Sequence, residues 1–312
     1  MNHPRTTPSA AGIFAPVAPL LRTLKLGGKV GLIAALLILP MLFLLANVIK
    51  GERAALEFTR GELAGAPVGH ELLELVSALQ AHRGLRNVEL SGAPTNGALP
   101  SSVAAIETLI KDTDTALKAV PQYELASSWA ALRAELHGIA KGEGQASVPA
   151  SMKAHNEAID KTLAMVDVVT ERSGLLLDPD SGSFMLMDIV FVRTGPYFEQ
   201  IAQMRGGALA ALARGEWTAE DSVRVAERHR AILEGRRGVQ LRVDALSRAG
   251  MPIPKGWKEG NDAVDAYVAK LNAMGKGGKL HEDAMAVFAE GESVLKAVDG
   301  FHNASLDGTP GA

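Results

Sequence analysis

The sequence predicts an all-α protein in which one N-terminal transmembrane helix is followed by a bundle of long helices. Two observations lead to this fold class. Residues 30–49 run without a single charged side chain, and apolar residues from position 51 onward recur at the three- and four-residue spacing of helices. Sustained alternation of apolar and polar residues, the pattern of strands, is absent.

The N-terminal region predicts a membrane anchor. Twenty uncharged residues at 30–49 match the roughly 30 Å of a bilayer core, and the 1–29 leader is basic. A cleaved signal peptide is the alternative, but it favours a shorter apolar region and a small-residue cleavage site. Positively charged flanks stay in the cytoplasm. We therefore expect a single-pass protein of a bacterial inner membrane, with its N-terminus cytoplasmic and its body periplasmic.

The body predicts a succession of helices separated by Gly- and Pro-rich breaks. Ser101 follows Pro100 as a candidate N-cap for the first helix after such a break. Apolar stripes lie within residues 103–120, 129–139, 159–169, 225–246 and 285–298, and the breaks lie at 92–100, 142–149, 177–182, 249–256 and 275–279. Stripes of this period are typical of helices packed in a bundle.

A short internal similarity suggests two helical modules. Gln80, Arg83 and Gly84 have counterparts about 120 residues later in Gln203, Arg205 and Gly206. We interpret this similarity as two stacked modules, over 51–173 and 183–303, followed by a flexible tail at 304–312.

Composition excludes several classes of function. The chain has no cysteine, which removes disulfides, thiolate catalysis and thiolate-bound metals. Residues 51–312 hold 27 basic and 35 acidic residues, and this negative balance argues against nucleic acid as a partner. No two histidines stand four residues apart, and no nucleophile motif occurs. We predict no enzyme activity, no catalytic residues, no metal site and no cofactor.

Basic side chains within otherwise apolar helical segments are the candidate ligand-binding residues. They are His82, Arg83, Arg86, Arg193 and Arg205. One interpretation is internal ion pairing, such as Arg86 with Glu89, or Glu199 near Arg205, because a buried guanidinium is costly unless paired. The other is a polar pocket that closes on a small anion between helices or subunits, since arginine offers a bidentate fork.

The segment Leu177–Ser183 is an acidic motif, separate from these basic residues. Its acidic residues, Asp178 and Asp180 around Pro179, predict a turn, with Asp180 or Ser183 capping a helix that begins near Phe184. Oxygen ligation of a cation is the alternative, but the twelve-residue calcium loop pattern is missing.

Two motifs resemble the extracytoplasmic sensor regions of bacterial methyl-accepting chemotaxis proteins. They are L-x-x-x-L-Q-A-H-R-G-L (Leu75 to Leu85) and L-D-P-D-S-x-S-x-x-L-M-D (Leu177 to Asp188), within a similar layout over residues 20–215. Related input regions occur on sensor histidine kinases and diguanylate cyclases. Gly182 and Met185 depart from the acidic and aromatic residues expected around the second motif.

The resemblance implies a homodimeric membrane receptor that binds a small molecule and transmits binding as a helix displacement. The second membrane helix, the adaptor region and the cytoplasmic signalling hairpin of such receptors are not in this sequence. We therefore expect either the truncated input part of a longer receptor or a stand-alone relic or decoy of one. A membrane-anchored helical scaffold that binds a partner protein is the alternative function.

Overall fold

The computed structural model describes residues 23–177, 180–276, 280 and 282–307. Over these residues it contains helices and no strands, so the all-α prediction is confirmed. The α-helices are α1 (Leu26–Leu90), α2 (Ala98–Lys118), α3 (Ala126–Ala140), α4 (Val148–Ser173), α5 (Ser181–Met187), α6 (Thr194–Arg214), α7 (Ala219–Arg248), α8 (Trp257–Met274) and α9 (Ala284–Leu306). A 3₁₀ turn covers Pro121–Tyr123, and a π-helical turn over Asp188–Arg193 connects α5 to α6.

The first helix contains the apolar segment that the sequence singles out. By length and composition this part of α1 is able to cross a membrane, and its apolar window is not buried within the protein. Pro40 does not interrupt the helix. The chain divides into two compact units, one ending at Glu57 and one beginning at Phe58, and the second unit carries the features described below.

Helix starts in the body follow local capping chemistry. The Asp180 carboxylate accepts hydrogen bonds from the backbone N–H groups of Gly182 and Ser183, so Asp180 rather than Ser183 caps α5. Thr218 and Asp221 form a reciprocal capping box at the start of α7. The prediction that Ser101 is an N-cap was wrong, because a left-handed turn at Gly97 starts α2 at Ala98.

The body is built around two hydrophobic cores. One core contains Leu72 and Leu79 of α1 with residues of α2, α3 and α4, and the other contains Leu85 and Val88 of α1 with residues of α6 to α9. The π-helical turn contributes to both, because a turn with a wider repeat presents neighbouring side chains to different faces. The division into modules at 51–173 and 183–303 stays a prediction.

Candidate functional site

Arg83 of α1 is buried in a hydrogen-bonded network that joins three helices. Its guanidinium forms a bidentate pair with Glu199 of α6, at 2.6 Å and 3.1 Å, and donates to the side-chain oxygen of Asn156 in α4 at 2.6 Å. The Glu199 carboxylate also accepts from Gln80 at 2.9 Å and from Gln203 at 2.5 Å. The Glu199 carboxylate therefore accepts hydrogen bonds from three side chains, and such hydrogen bonding is the condition for burying an ion pair.

Arg205 of α6 lies next to this network and is equally buried. It pairs with Glu292 of α9 and donates to the backbone carbonyl of Gln80 at 3.0 Å. Its guanidinium carbon lies 4.7 Å from the centroid of the Phe288 ring, a cation–π distance. Arg205 thereby holds α1, α6 and α9 together at one level of the bundle.

Two glycines make the close packing of Arg205 and the neighbouring Phe288 ring sterically feasible. A Cβ atom on Gly291 of α9 would lie 2.6 Å from the Arg205 Cδ atom and 3.0 Å from the Tyr267 hydroxyl. A Cβ atom on Gly84 of α1 would lie 2.8 Å from the Phe288 ring. These distances are shorter than van der Waals contact, so only glycine fits at both positions without movement of the neighbours.

We expect Gly291→Ala to lower the free energy of unfolding of the full chain by about 1–3 kcal/mol, the usual cost of overpacking. The added methyl group would collide with the middle of a fully buried arginine side chain, which cannot move aside. Urea unfolding in a mild detergent measures the change. Gly300→Ala in the same helix is the matched control.

A Cβ atom on Gly300 meets no atom within 4 Å, so alanine there should stabilise the protein by up to about 1 kcal/mol through helix propensity. Equal effects of the two substitutions would contradict the packing that the structure gives to Arg205.

His82 of α1 and His155 of α4 form a buried pair beside Arg83. His155 Nδ1 lies 2.7 Å from the Ser151 carbonyl and therefore donates to it, which leaves His155 Nε2 to accept from His82 Nδ1 at 2.8 Å. Burial, followed by the positive charge of Arg86, lowers the pKa of His82 to about 4. Burial is also the main cause that lowers the pKa of His155 to about 3. Both imidazoles are neutral at pH 7.

The fully buried part of the network carries an excess positive charge. The side chains of Arg83 and Arg205 are 0% and 1% exposed and that of Glu199 is 4% exposed, whereas the Glu292 side chain is 29% exposed. Burial, and then the charge of Arg83, lowers the pKa of Arg205 to about 10, which leaves it charged at neutral pH. Of the two carboxylates that pair with these cations, only Glu199, the partner of Arg83, is deeply buried, whereas Glu292, the partner of Arg205, is partly open to water.

Three buried polar atoms in this region have no hydrogen-bond partner within the described part of the chain. They are the Nε atoms of Arg83 and Arg205 and the hydroxyl of Tyr267. Burial raises the pKa of Tyr267, so its hydroxyl keeps its proton. Each of these atoms is able to donate a hydrogen bond, and unmade buried hydrogen bonds are costly. The arrangement is chemically suited to an acceptor that carries negative charge.

The structure brings together some of the sequence-predicted residues and separates others. His82, Arg83 and Arg205 lie in the network, and the predicted Arg86–Glu89 pair forms at its edge. Arg193 lies outside the network, where it pairs with Asp188 at 2.5 Å. Arg242 pairs with the same Asp188 oxygen at 2.5 Å. The expectation that Glu199 lies near Arg205 was incomplete, because the carboxylate binds Arg83.

The second motif contributes no residue to this network. Asp180 is a helix cap, as described above, and Asp178 and Pro179 lie outside the described residues. Within the described ranges, no group of three or more His, Asp or Glu side chains is arranged to hold a metal ion.

Sequence reasoning missed several members of the network. They are Asn156, His155, Tyr267, Gly291 and Glu292. Each stands among ordinary helix residues and belongs to no recognisable motif. The one signal in the sequence was the similarity of Gln80 and Arg83 to Gln203 and Arg205. In the structure Gln80, Arg83 and Gln203 donate to the Glu199 carboxylate, and Arg205 donates to the backbone carbonyl of Gln80.

Comparisons with known proteins show a similarity of fold. No family model matches the chain, and no curated protein matches it. The solved structure of the NasR transcription antiterminator is similar, with a TM-score of 0.56 and 15% sequence identity over 85% of this chain and 72% of that chain. At this level of identity the similarity concerns the fold alone.

Proposed function

We propose that this protein is the membrane-anchored, helical ligand-sensing region of a bacterial receptor of chemoreceptor type, and that it binds a small anion. Residues 30–49 of α1 form the anchor, the N-terminus is cytoplasmic and the body is periplasmic. The receptor acts as a homodimer. The same input function would serve a sensor histidine kinase or a diguanylate cyclase.

One observation carries the proposal. Arg83 and Arg205, from two different helices, are completely buried, only one of their two partner carboxylates is deeply buried, and both guanidinium groups retain an unused Nε donor. A protein that needed these side chains only for stability would gain as much from apolar residues of similar volume. A site that must recognise a planar oxyanion has a reason to keep buried guanidinium groups.

The mechanism follows from the positions of the partners. An anion that enters beside Arg205 displaces the partly exposed carboxylate of Glu292, and it accepts the hydrogen bond that the Tyr267 hydroxyl is able to donate. Displacement of Glu292 loosens α9 from α6, while the new charge draws Arg205 and α1 together. The ligand shifts the equilibrium between two helix arrangements by its differential affinity for them. We propose that α1, which also contains the anchor, transmits this change.

The fold similarity to NasR does not lead us to propose antitermination for this chain. Residues 51–312 have eight more acidic than basic side chains, which is unfavourable for binding a nucleic acid backbone.

Titration of the full chain with a panel of small anions tests the proposal. Planar formate, acetate and nitrate and tetrahedral sulfate and phosphate should be compared by calorimetry in nanodiscs. We expect at least one planar anion to bind, and we expect Arg205→Lys to weaken its binding about tenfold or more, because lysine lacks the bidentate fork. Glu292→Gln should strengthen binding about tenfold, since the competing charge is removed.

Glu290→Gln is the matched control, because Glu290 lies two residues away in α9 and pairs with Lys270 on the surface. It should leave anion affinity unchanged. Failure of every anion to bind, or an affinity that Arg205→Lys and Glu292→Gln leave unaltered, would refute the proposal.

A further inference from the structure

A separate cavity of about 430 Å³ lies between α4, α6 and α7. This volume is in the range of small-molecule sites. Its apolar wall is formed by Val148, Pro149 and Met152 of α4, Met204 and Ala210 of α6, and Val225 of α7. Such a wall favours an apolar ligand or the apolar part of an amphipathic one.

The volume of the cavity arises from two consecutive glycines in α6. Gly206 and Gly207 both line it, and a Cβ atom on Gly207 would meet no atom within 4 Å. Neither glycine has a positive backbone angle φ, so their role is spatial rather than conformational. Two glycines inside a helix cost about 2 kcal/mol relative to alanine, which is a reason to expect that the space has a use.

Three arginines of α6 and α7 line the cavity, and their charges are compensated unequally. Arg214 and Arg224 both pair with Asp221, at 2.7 Å and 3.5 Å, and Arg224 also pairs with Glu220. Arg228 donates to the neutral side-chain amide of Gln200 at 2.9 Å. Across the described residues, no carboxylate forms an ion pair with Arg228. The cavity therefore offers one uncompensated cation beside an apolar wall.

The cavity adjoins the arginine network without sharing its cations. Asn156 and Gln203 form the wall on that side, and their side chains are engaged by Arg83 and Glu199 respectively. Neither Arg83 nor Arg205 lines the cavity, although a ligand in it would contact these two amides. The cavity is therefore a site distinct from the anion site proposed above.

We propose that this cavity binds an aliphatic monocarboxylate, with its hydrocarbon chain against the methionine-lined wall and its carboxylate on Arg228. One uncompensated cation matches one negative charge, whereas the second charge of a dicarboxylate would meet the apolar wall or the arginines Arg214 and Arg224, which Asp221 and Glu220 already compensate. A flexible methionine wall adapts to chains of different length. The ligand class is therefore defined by charge and shape together.

Calorimetric titration of the full chain in nanodiscs with butanoate, hexanoate and octanoate tests the proposal, with empty nanodiscs as the blank. We expect affinity to rise about fourfold for each added methylene, the equivalent of about 0.8 kcal/mol per buried CH₂ group. Hexanol and hexylamine should bind at least tenfold more weakly than hexanoate, because neither carries a negative charge.

Two variants locate the site. Arg228→Gln should weaken hexanoate binding about tenfold or more by removing the charged donor, while Arg230→Gln, an exposed position on the same helix, should leave it unchanged. Gly207→Leu should abolish binding by filling the cavity, while Gly300→Leu, an open helical glycine elsewhere, should not affect it.

The results separate this proposal from the preceding one. Hexanoate affinity should be the same in the Arg205→Lys variant, whose small-anion binding is weakened. An absence of hexanoate binding, affinity that does not depend on chain length, or binding that survives both Arg228→Gln and Gly207→Leu would overturn the proposal, whatever the outcome at Arg205.

Discussion

Replacing Arg83 with alanine should lower the free energy of unfolding by about 3–5 kcal/mol, because it leaves the Glu199 carboxylate buried without its cation. The effect is large since Glu199 is 4% exposed and water cannot replace the missing guanidinium. Asn156 would also lose its donor. Urea unfolding of the full chain in a mild detergent, followed by circular dichroism, measures the change.

Two comparisons make this prediction specific. Arg86→Ala is the matched control, three residues along the same helix, where a solvent-accessible pair with Glu89 contributes less than about 1 kcal/mol. The double variant Arg83→Met with Glu199→Met should recover most of the lost stability, because no buried charge remains unpaired. A loss below 1 kcal/mol for Arg83→Ala would contradict the buried pair.

Lowering the pH from 7 to 5 should destabilise the protein by about 2 kcal/mol for each histidine of the His82–His155 pair. The folded state holds both imidazoles neutral, with pKa values of about 4 and about 3, whereas the unfolded chain takes up protons near pH 6.5. The unfolded state therefore binds more protons below pH 6.5. Stability falls as the pH drops through that value, and the loss stops growing below the folded pKa values.

The contribution of the pair can be isolated by substitution. Urea unfolding at pH 7 and pH 5 should give a difference that is about 2 kcal/mol smaller for His155→Gln than for the unsubstituted chain, because glutamine takes up no proton. This difference is insensitive to any loss of stability common to both pH values. An unchanged difference would show that proton uptake by His155 does not control acid unfolding.

The helices and their breaks could be predicted because their signals are local. Apolar spacing within residues 225–246 predicts a helix that buries one face, and α7 does so through Val225, Ile232 and Val239. The Gly- and Pro-rich segment at 142–149 ends α3 and starts α4 by its own backbone chemistry. Likewise the Asp180 cap needs only the two residues that follow it.

The membership of the buried network could not be predicted in the same way. Arg83 and Glu199 lie 116 positions apart in the sequence. Helical spacing gives no reason to expect an ion pair between these two rather than between other charged residues. The sequence instead placed Arg193 beside Arg205 among the five candidate ligand-binding residues. The π-helical turn at Asp188–Arg193 instead allows Arg193 to pair with Asp188.

The sequence alone determined that this chain is helical, that one segment is apolar enough to cross a membrane, and that arginines interrupt apolar helical faces. Only the tertiary structure decided which carboxylate each arginine binds, that Gly291 admits Arg205 and Gly84 admits the Phe288 ring, and that Gly206 and Gly207 leave a cavity. The physical reason is that helix formation depends on residues three or four apart. The burial of charged side chains and the formation of a cavity depend on helices that are distant in sequence and meet only after packing.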